Sequence, residues 1–261
     1  MSGFQPEAAA AALHEARQRR IELAPLPAAI APRSVAEGAA VQRALANRVG
    51  AASPSGFKIG ATARRMQEYL GLSGPAAGFM MARDVHRSGA SLKFADYLRP
   101  GVECELAVRL ARDLPPGPCT PGQAAAAVGE LFAAIEIVEN RYGELSALGT
   151  PTLIGDQVYH AAAVLGDTGA GDWRTMDIAA LPGRLIVDGE QRDQGVGADL
   201  MGHPMNCLAW LAGSPVAEAF GGLKAGQVVM LGSVTPPVWL TGPARITVDF
   251  APLPPVQVQI A

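Results

Sequence analysis

The apolar positions of this chain change their spacing near residue 50. Before that point they recur as in helices; after it they alternate or run together as in strands. Residues 8–20 form an alanine-rich helical stretch. Ser34-Val35-Ala36-Glu37 has the capping-box pattern that opens a second helix through Val49. Residues 51–56 (Ala-Ala-Ser-Pro-Ser-Gly) make a linker-like break, which divides the chain into an N-terminal helical region, 1–55, and a main domain, 56–261. Strands are predicted at 56–60, 102–110, 131–138, 159–165, 184–187, 227–231, 244–250 and 256–260. Asp188-Gly189 is placed to turn a hairpin. Short helices are predicted from a Thr62 cap to Leu70 with Gly71 as the stop, from Thr120-Pro121 toward Val128, and after Gly202-His203-Pro204 through Ala212. Many short strands without regular strand–helix alternation predict an α+β fold with a mixed β-roll or sandwich core rather than a doubly wound sheet.

Composition supports a well-buried globular chain, with 49% hydrophobic and 17% charged residues among 261. A net charge of -3 without a basic cluster beyond Arg17-Gln18-Arg19-Arg20 argues against a nucleic-acid partner. Three cysteines without C-x-x-C spacing suggest neither a disulfide framework nor a zinc site. The N-terminus lacks a signal-peptide pattern and no apolar run is long enough for a membrane span, so a cytoplasmic, soluble protein is expected.

The polar residues that break the apolar pattern carry the candidate chemistry. Glu103 and Glu105 flank Cys104 and project to one face of their strand, and Glu136 interrupts the apolar run Leu131–Val138. Converging carboxylates repel, and a hard divalent cation, Mg²⁺ or Mn²⁺, would turn that repulsion into binding. The alternative is a solvated Glu103–Glu105 face with Glu136 paired to an arginine. Lys58, in Phe57-Lys58-Ile59-Gly60, is a lone cation in an apolar strand, either a proton shuttle beside such a metal or a lysine snorkelling to the surface. The histidines have no metal-binding spacing: His14 is placed in a surface helix, His86 in a loop, His160 beside a strand and His203 at a turn or cap. Gly195-Val196-Gly197-Ala198-Asp199-Leu200 is a weak nucleotide-loop candidate. P-loop and Gly-x-Ser-x-Gly motifs are lacking.

Five segments in order carry a family resemblance: Phe57-Lys58-Ile59-Gly60, residues 66–71, Val102-Glu103-Cys104-Glu105, residues 134–138, and Leu200-Met201-Gly202-His203-Pro204. From about Gly56 to the C-terminus the chain resembles the 2-keto-4-pentenoate hydratase / 4-oxalocrotonate decarboxylase group of the fumarylacetoacetate hydrolase superfamily. The resemblance implies a β-roll lyase, homo-oligomeric as a dimer or larger, with Mg²⁺ or Mn²⁺ on Glu103, Glu105 and Glu136 and Lys58 as a proton-transfer group. It implies as substrate a small 2-hydroxy-2,4-dienoate or its 2-oxo tautomer from aromatic ring degradation. Hydration is the preferred reaction. Decarboxylation, acylpyruvate-type C–C hydrolysis and metal binding without turnover are the alternatives.

The chain departs from the group's pattern in three places. Relatives often have an aspartate where Arg83 falls, with Asp84 one residue late, which makes Asp84 a catalytic candidate and Arg83 a candidate for a second substrate carboxylate. An A-D-N-A-S-like stretch becomes Gly155-Asp156-Gln157-Val158-Tyr159, whose Asp156, Gln157 and Tyr159 are expected to meet substrate. An L-T-G-like turn becomes Met230-Leu231-Gly232-Ser233, with a threonine hydroxyl replaced by Leu231 and Ser233 a further candidate.

Overall fold

The computed structural model of the chain describes residues 4–143, 145–169 and 171–261. Two helices lead, α1 (Pro6–Arg19) and α2 (Val35–Arg48). There follow β1 (Gly56–Gly60), α3 (Arg64–Leu70), β2 (Ala76–Met80), β3 (Val85–Arg87) and β4 (Ala90–Leu92). The long strands β5 (Pro100–Leu110) and β6 (Val128–Glu139) are joined through α4 (Pro121–Ala127). Next come α5 (Leu145–Leu148), α6 (Thr150–Gly155), β7 (His160–Leu165), β8 (Pro182–Val187) and β9 (Glu190–Val196). The chain closes with α7 (Pro204–Ala212), α8 (Pro215–Ala219), β10 (Val228–Ser233), β11 (Val238–Trp239), β12 (Ala244–Asp249) and β13 (Val256–Ile260).

The strands form two mixed sheets. One is eight-stranded, ordered β2-β1-β10-β5-β6-β7-β3 with β11 added beside β5; the other is five-stranded, ordered β4-β13-β12-β8-β9. The α+β architecture expected from the strand-rich pattern is the one that forms. One apolar core joins both sheets to the helices: Leu13 of α1 and Leu45 of α2 are buried in it with Leu153 of α6 and Ile246 of β12. A smaller cluster, which includes Met80, Ala107, Phe132, Ala134 and Met230, forms separately. Alternation along β5 and β6 puts Glu103, Glu105 and Glu136 on the same sheet face as Ala107, Phe132 and Ala134. The carboxylates therefore continue an apolar interior face, not a solvated one.

Several local expectations change in the folded chain. Ser34 caps α2 by accepting from Glu37 N at 3.1 Å, but Glu37 accepts from Arg33 N at 2.6 Å, so the reciprocal half of the box reaches one residue further back. Thr62 does not cap α3: the N-cap position is Ala63, without a side-chain bond, and Thr62 is buried. Thr120 and Gln123 form a complete capping box on α4. His203 caps α7 by accepting from Met205 N at 3.1 Å. Asp188 and Gly189 both take positive φ, 52° and 84°, as a tight hairpin turn requires. His86 lies in β3 rather than in a loop, paired in parallel with β7. The break after α2 is a short connection, held where Ser55 N donates to Met80 O at 3.0 Å. Among the described residues no helix is long and apolar enough to cross a membrane.

Candidate active site

Glu103 and Glu136 are direct partners across β5 and β6, and Glu105 stands two residues along the same face. One carboxylate oxygen from each lies within 4.8 Å of the other two. Glu105 and Glu136 are fully buried and Glu103 is half-buried. Glu105 Oε2 accepts from Gly232 N at 3.1 Å, while Glu136 Oε1 faces Lys58 Nζ at 3.4 Å and His160 Nδ1 at 2.8 Å. Glu105 Oε1 and Glu136 Oε2 are buried without a hydrogen-bond partner, a costly arrangement unless something else binds them.

Crowding shows in the acidities. Burial, reinforced by Glu136, pushes Glu103 up to about 8 against the opposing charge of Lys58. Burial, with Glu136 and Glu103 adding to it, raises Glu105 well above the usual carboxylate range. Burial acts the same way on Glu136, but Lys58 and then His160 outweigh it and bring the group down to about 2. Two carboxyls that resist ionisation beside one that is ionised make a site short of positive charge. An all-oxygen donor set with two orphaned oxygens fits a hard divalent cation such as Mg²⁺ or Mn²⁺.

A cavity of about 440 Å³ opens beside this cluster, with Lys58 and Glu103 at its polar end. Leu70, Val138, Val158, Tyr159 and Trp239 are among the residues that form the rest of its wall. A second hollow of about 310 Å³ shares Gly60, Met66, Glu103 and Pro236 with it and extends to Ser233, so the two are parts of one cleft. Tyr159 packs edge-on against Tyr142, with centroids 4.9 Å apart, and lies 6.4 Å from the Trp239 ring.

Lys58 is buried, which removes the snorkelling alternative, and its Nζ donates to Val158 O. That carbonyl belongs to an uncommon turn. Gln157, Val158 and Tyr159 all have positive φ, at 60°, 51° and 65°. The left-handed region costs a non-glycine residue about 1–2 kcal/mol, and a β-branched valine suits it least. The turn presses so closely on β2 that a Cβ at Gly78 would lie 2.7 Å from Gln157 O, so only glycine fits there.

The remaining candidates separate. Tyr159 lines the cavity, and Ser233 lines the adjoining hollow, where its Oγ is engaged by the backbone of Cys104 and Thr235. Asp156 and Gln157 do not line the cleft, which corrects the expectation that they meet substrate. Asp156 is buried behind the turn, accepting from Arg17 Nε at 2.7 Å, Arg141 Nε at 3.0 Å and Tyr142 Oη at 2.8 Å. Gln157 binds Arg17 and Phe79 O. Burial would raise Asp156, but Arg141 and Arg17 prevail and hold its carboxyl below the usual range. Arg83 and Asp84 likewise fall outside the cleft. After β2 the chain turns through Ala82–Asp84 into β3, which pairs with β7, and neither Arg83 nor Asp84 lines the cleft wall. Arg83 is largely exposed and lines a separate hollow with His14 and Arg17. Leu231 is buried, and it is the backbone N of the next residue, Gly232, that reaches Glu105.

His160 is the participant that the sequence pattern did not reveal. It is buried, bonded to Glu136, and its Nε2 has no partner. Its signal was faint: a single polar residue at the start of an apolar strand.

The profile of the family described as fumarylacetoacetate (FAA) hydrolase C-terminal matches residues 59–261. A 2-keto-4-pentenoate hydratase of Burkholderia vietnamiensis is 34% identical over 183 residues, covering 70% of this chain and 69% of that protein. Another 2-keto-4-pentenoate hydratase, from Paraburkholderia phymatum, is 32% identical over 235 residues, 89% of this chain and 88% of that one. Among solved structures, 4-oxalocrotonate decarboxylase from Pseudomonas putida G7, complexed with magnesium and adipate, superposes with a TM-score of 0.87. It is 22% identical, and the match covers 98% of this chain and 97% of the other. On the extent of the profile match and of these similarities, the chain belongs to the fumarylacetoacetate hydrolase family.

Proposed function

We propose that this protein is a divalent-metal-dependent hydratase that adds water to a small 2-hydroxy-2,4-dienoate. The observation that carries this reading is the cluster of three converging carboxylates beside a buried lysine, which meets a mainly apolar cavity through Lys58 and Glu103. Relatives that bear the hydratase name, at 32% and 34% identity, support it. Glu103, Glu105 and Glu136 would hold the ion. Bound there, it would supply Lewis-acid polarisation of an adjacent carboxylate and 2-oxygen pair. Lys58 Nζ, fixed between Val158 O and Glu136 Oε1, is the group poised to move a proton. Ketonisation removes the proton of the 2-hydroxyl and delivers one to the terminal carbon, leaving a conjugated enone. Water then adds its oxygen at C4 and a proton at C3. Tyr159, Trp239 and Val138 give the diene carbons an apolar wall to pack against.

Lys58→Met retains the apolar stem and removes the amine. Turnover should fall about 100-fold or more with Mn²⁺ binding retained, while loss of the counter-ion of Glu136 costs the metal-free fold about 3–5 kcal/mol. Stopped-flow decay of dienol absorbance, with calorimetric titration of Mn²⁺, measures both. Wild-type turnover in this variant would remove Lys58 from the reaction.

The wall chemistry bears on the distal group. Among the described residues lining the cavity, Lys58 is the one cation, and Glu136 and Val158 O already engage it. A methyl-substituted dienoate should therefore exceed its dicarboxylate analogue in kcat/KM by roughly tenfold or more, the scale that one well-packed methylene provides. With Mg²⁺ present, assays following dienol loss, CO₂ and the hydroxy-keto product separate the outcomes. Preference for the dicarboxylate with CO₂ release would favour a decarboxylase. Cleavage into two acids would favour a hydrolase. Metal binding without turnover on any of the panel would leave a binding protein.

A further inference from the structure

The left-handed turn at 157–159 serves the cleft on one side and is gripped from the other by the N-terminal helix. On the cleft side Val158 O accepts from Lys58 Nζ, Tyr159 forms part of the wall, and the next residue, His160, bonds Glu136. On the far side Arg17, in the last turn of α1, spans the start of the turn with three donors. Its Nε donates to Asp156 Oδ1 at 2.7 Å, Nη2 to Asp156 O at 2.7 Å, and Nη1 to Gln157 Oε1. Arg141 closes the other flank, donating to Asp156 Oδ2 at 3.0 Å and to His160 O at 3.2 Å. Three consecutive non-glycine residues in the left-handed region persist only when their surroundings over-determine them. The planar guanidinium of Arg17, matched at once to a carboxylate, a carbonyl and an amide oxygen, provides that constraint.

We infer that Arg17 is a positioning residue. Through the 157–159 turn it sets where the Val158 carbonyl holds Lys58 and where His160 holds Glu136. Arg17 lies outside the stretch that the family profile matches, so the N-terminal helix completes the active centre rather than decorating it. The effect on turnover rests on the hydratase reading; the effect on the turn does not.

Arg17→Met in the full-length protein tests the assignment against Val258→Ala, which trims a buried side chain of β13 in the other sheet. Amide hydrogen exchange followed by mass spectrometry reports the turn without metal or substrate. In Arg17→Met, peptides covering 153–161 should exchange at least tenfold faster, with β12 and β13 unchanged. In Val258→Ala the pattern should reverse. With Mg²⁺ and dienoate, kcat per folded molecule should fall on the order of 10- to 100-fold in Arg17→Met, the scale of an ångström-sized misplacement, with KM within about threefold. Val258→Ala should keep its kcat. Arg17→Lys, which can replace only part of the three-pronged grip, should lie between wild type and Arg17→Met in both readouts, and it serves alone if the methionine variant does not fold. Unchanged exchange at 153–161 in the Arg17 variants, or a kcat per folded molecule equal to that of Val258→Ala, would overturn the inference. If wild type shows no hydratase turnover, the proposed function fails while the exchange result still decides the clamp.

Discussion

Replacing Glu136 with glutamine should weaken Mn²⁺ binding by about 100-fold or more and bring turnover below about 1% of wild type. The size follows from the number of demands on one side chain. Glu136 is the carboxylate that Lys58 and His160 hold ionised at about 2, and its Oε2 is free of protein partners and within reach of the Glu103 and Glu105 oxygens. Loss of an outer partner of a metal site alone costs 10- to 100-fold in affinity, and loss of a liganding charge costs more. Glutamine also leaves Lys58 buried without its counter-ion, a change on the order of 3–5 kcal/mol in stability. Calorimetric titration with Mn²⁺ and thermal unfolding of the metal-free variant measure the two effects separately. Mn²⁺ affinity within threefold of wild type would refute the three-carboxylate assignment.

The second large effect concerns Asp156, distant in role from the ion but central to the frame. Asp156→Asn preserves shape and removes the negative charge that Arg17 and Arg141 share, leaving Arg141 with Glu139. Breaking such a buried pair costs about 3–5 kcal/mol. In a chain of this size that corresponds to a drop in Tm of about 10 °C, at roughly 2–4 °C per kcal/mol. The loss should depend on pH in a definite direction. The folded-state pKa of Asp156 is lowered from 3.8, so its stabilisation is fully present above the unfolded value and disappears as pH falls through the folded one. Wild type should therefore exceed the variant at pH 7 and pH 5 alike, and the gap should close below about pH 4. A gap of less than 2 °C at pH 7, or one that persists undiminished at pH 3, would show that the two guanidinium contacts contribute little.

Strands with strong alternation or long apolar runs were legible in the sequence. Val256–Ile260 forms as expected, and the Glu103 strand differs only by starting at Pro100. Weaker elements escaped. Ala76–Met80 is a strand of small side chains centred on Gly78, whose glycine is needed for the approach of the 157–159 turn and has no local strand preference. Thr150–Gly155 is only six residues long and owes its place to packing against Val41 and Leu13, not to periodicity.

What the sequence determined by itself is the identity of the charged residues that an apolar strand could not carry without a purpose. Glu105, Glu136 and Lys58 stand out because burying an unpaired charge is expensive wherever the strand lies, a property of the residue and its immediate neighbours. What only the tertiary structure decided is which polar residues around them face the cleft. Asp156, Gln157, Arg83 and Asp84 have the chemistry to bind substrate, yet a three-residue left-handed turn and the short Ala82–Asp84 turn keep them out of the cleft wall. The same turn places His160 on Glu136, and a helix well over a hundred residues earlier in the chain holds it. Such placement depends on contacts between segments remote in sequence, and local spacing contains no record of them.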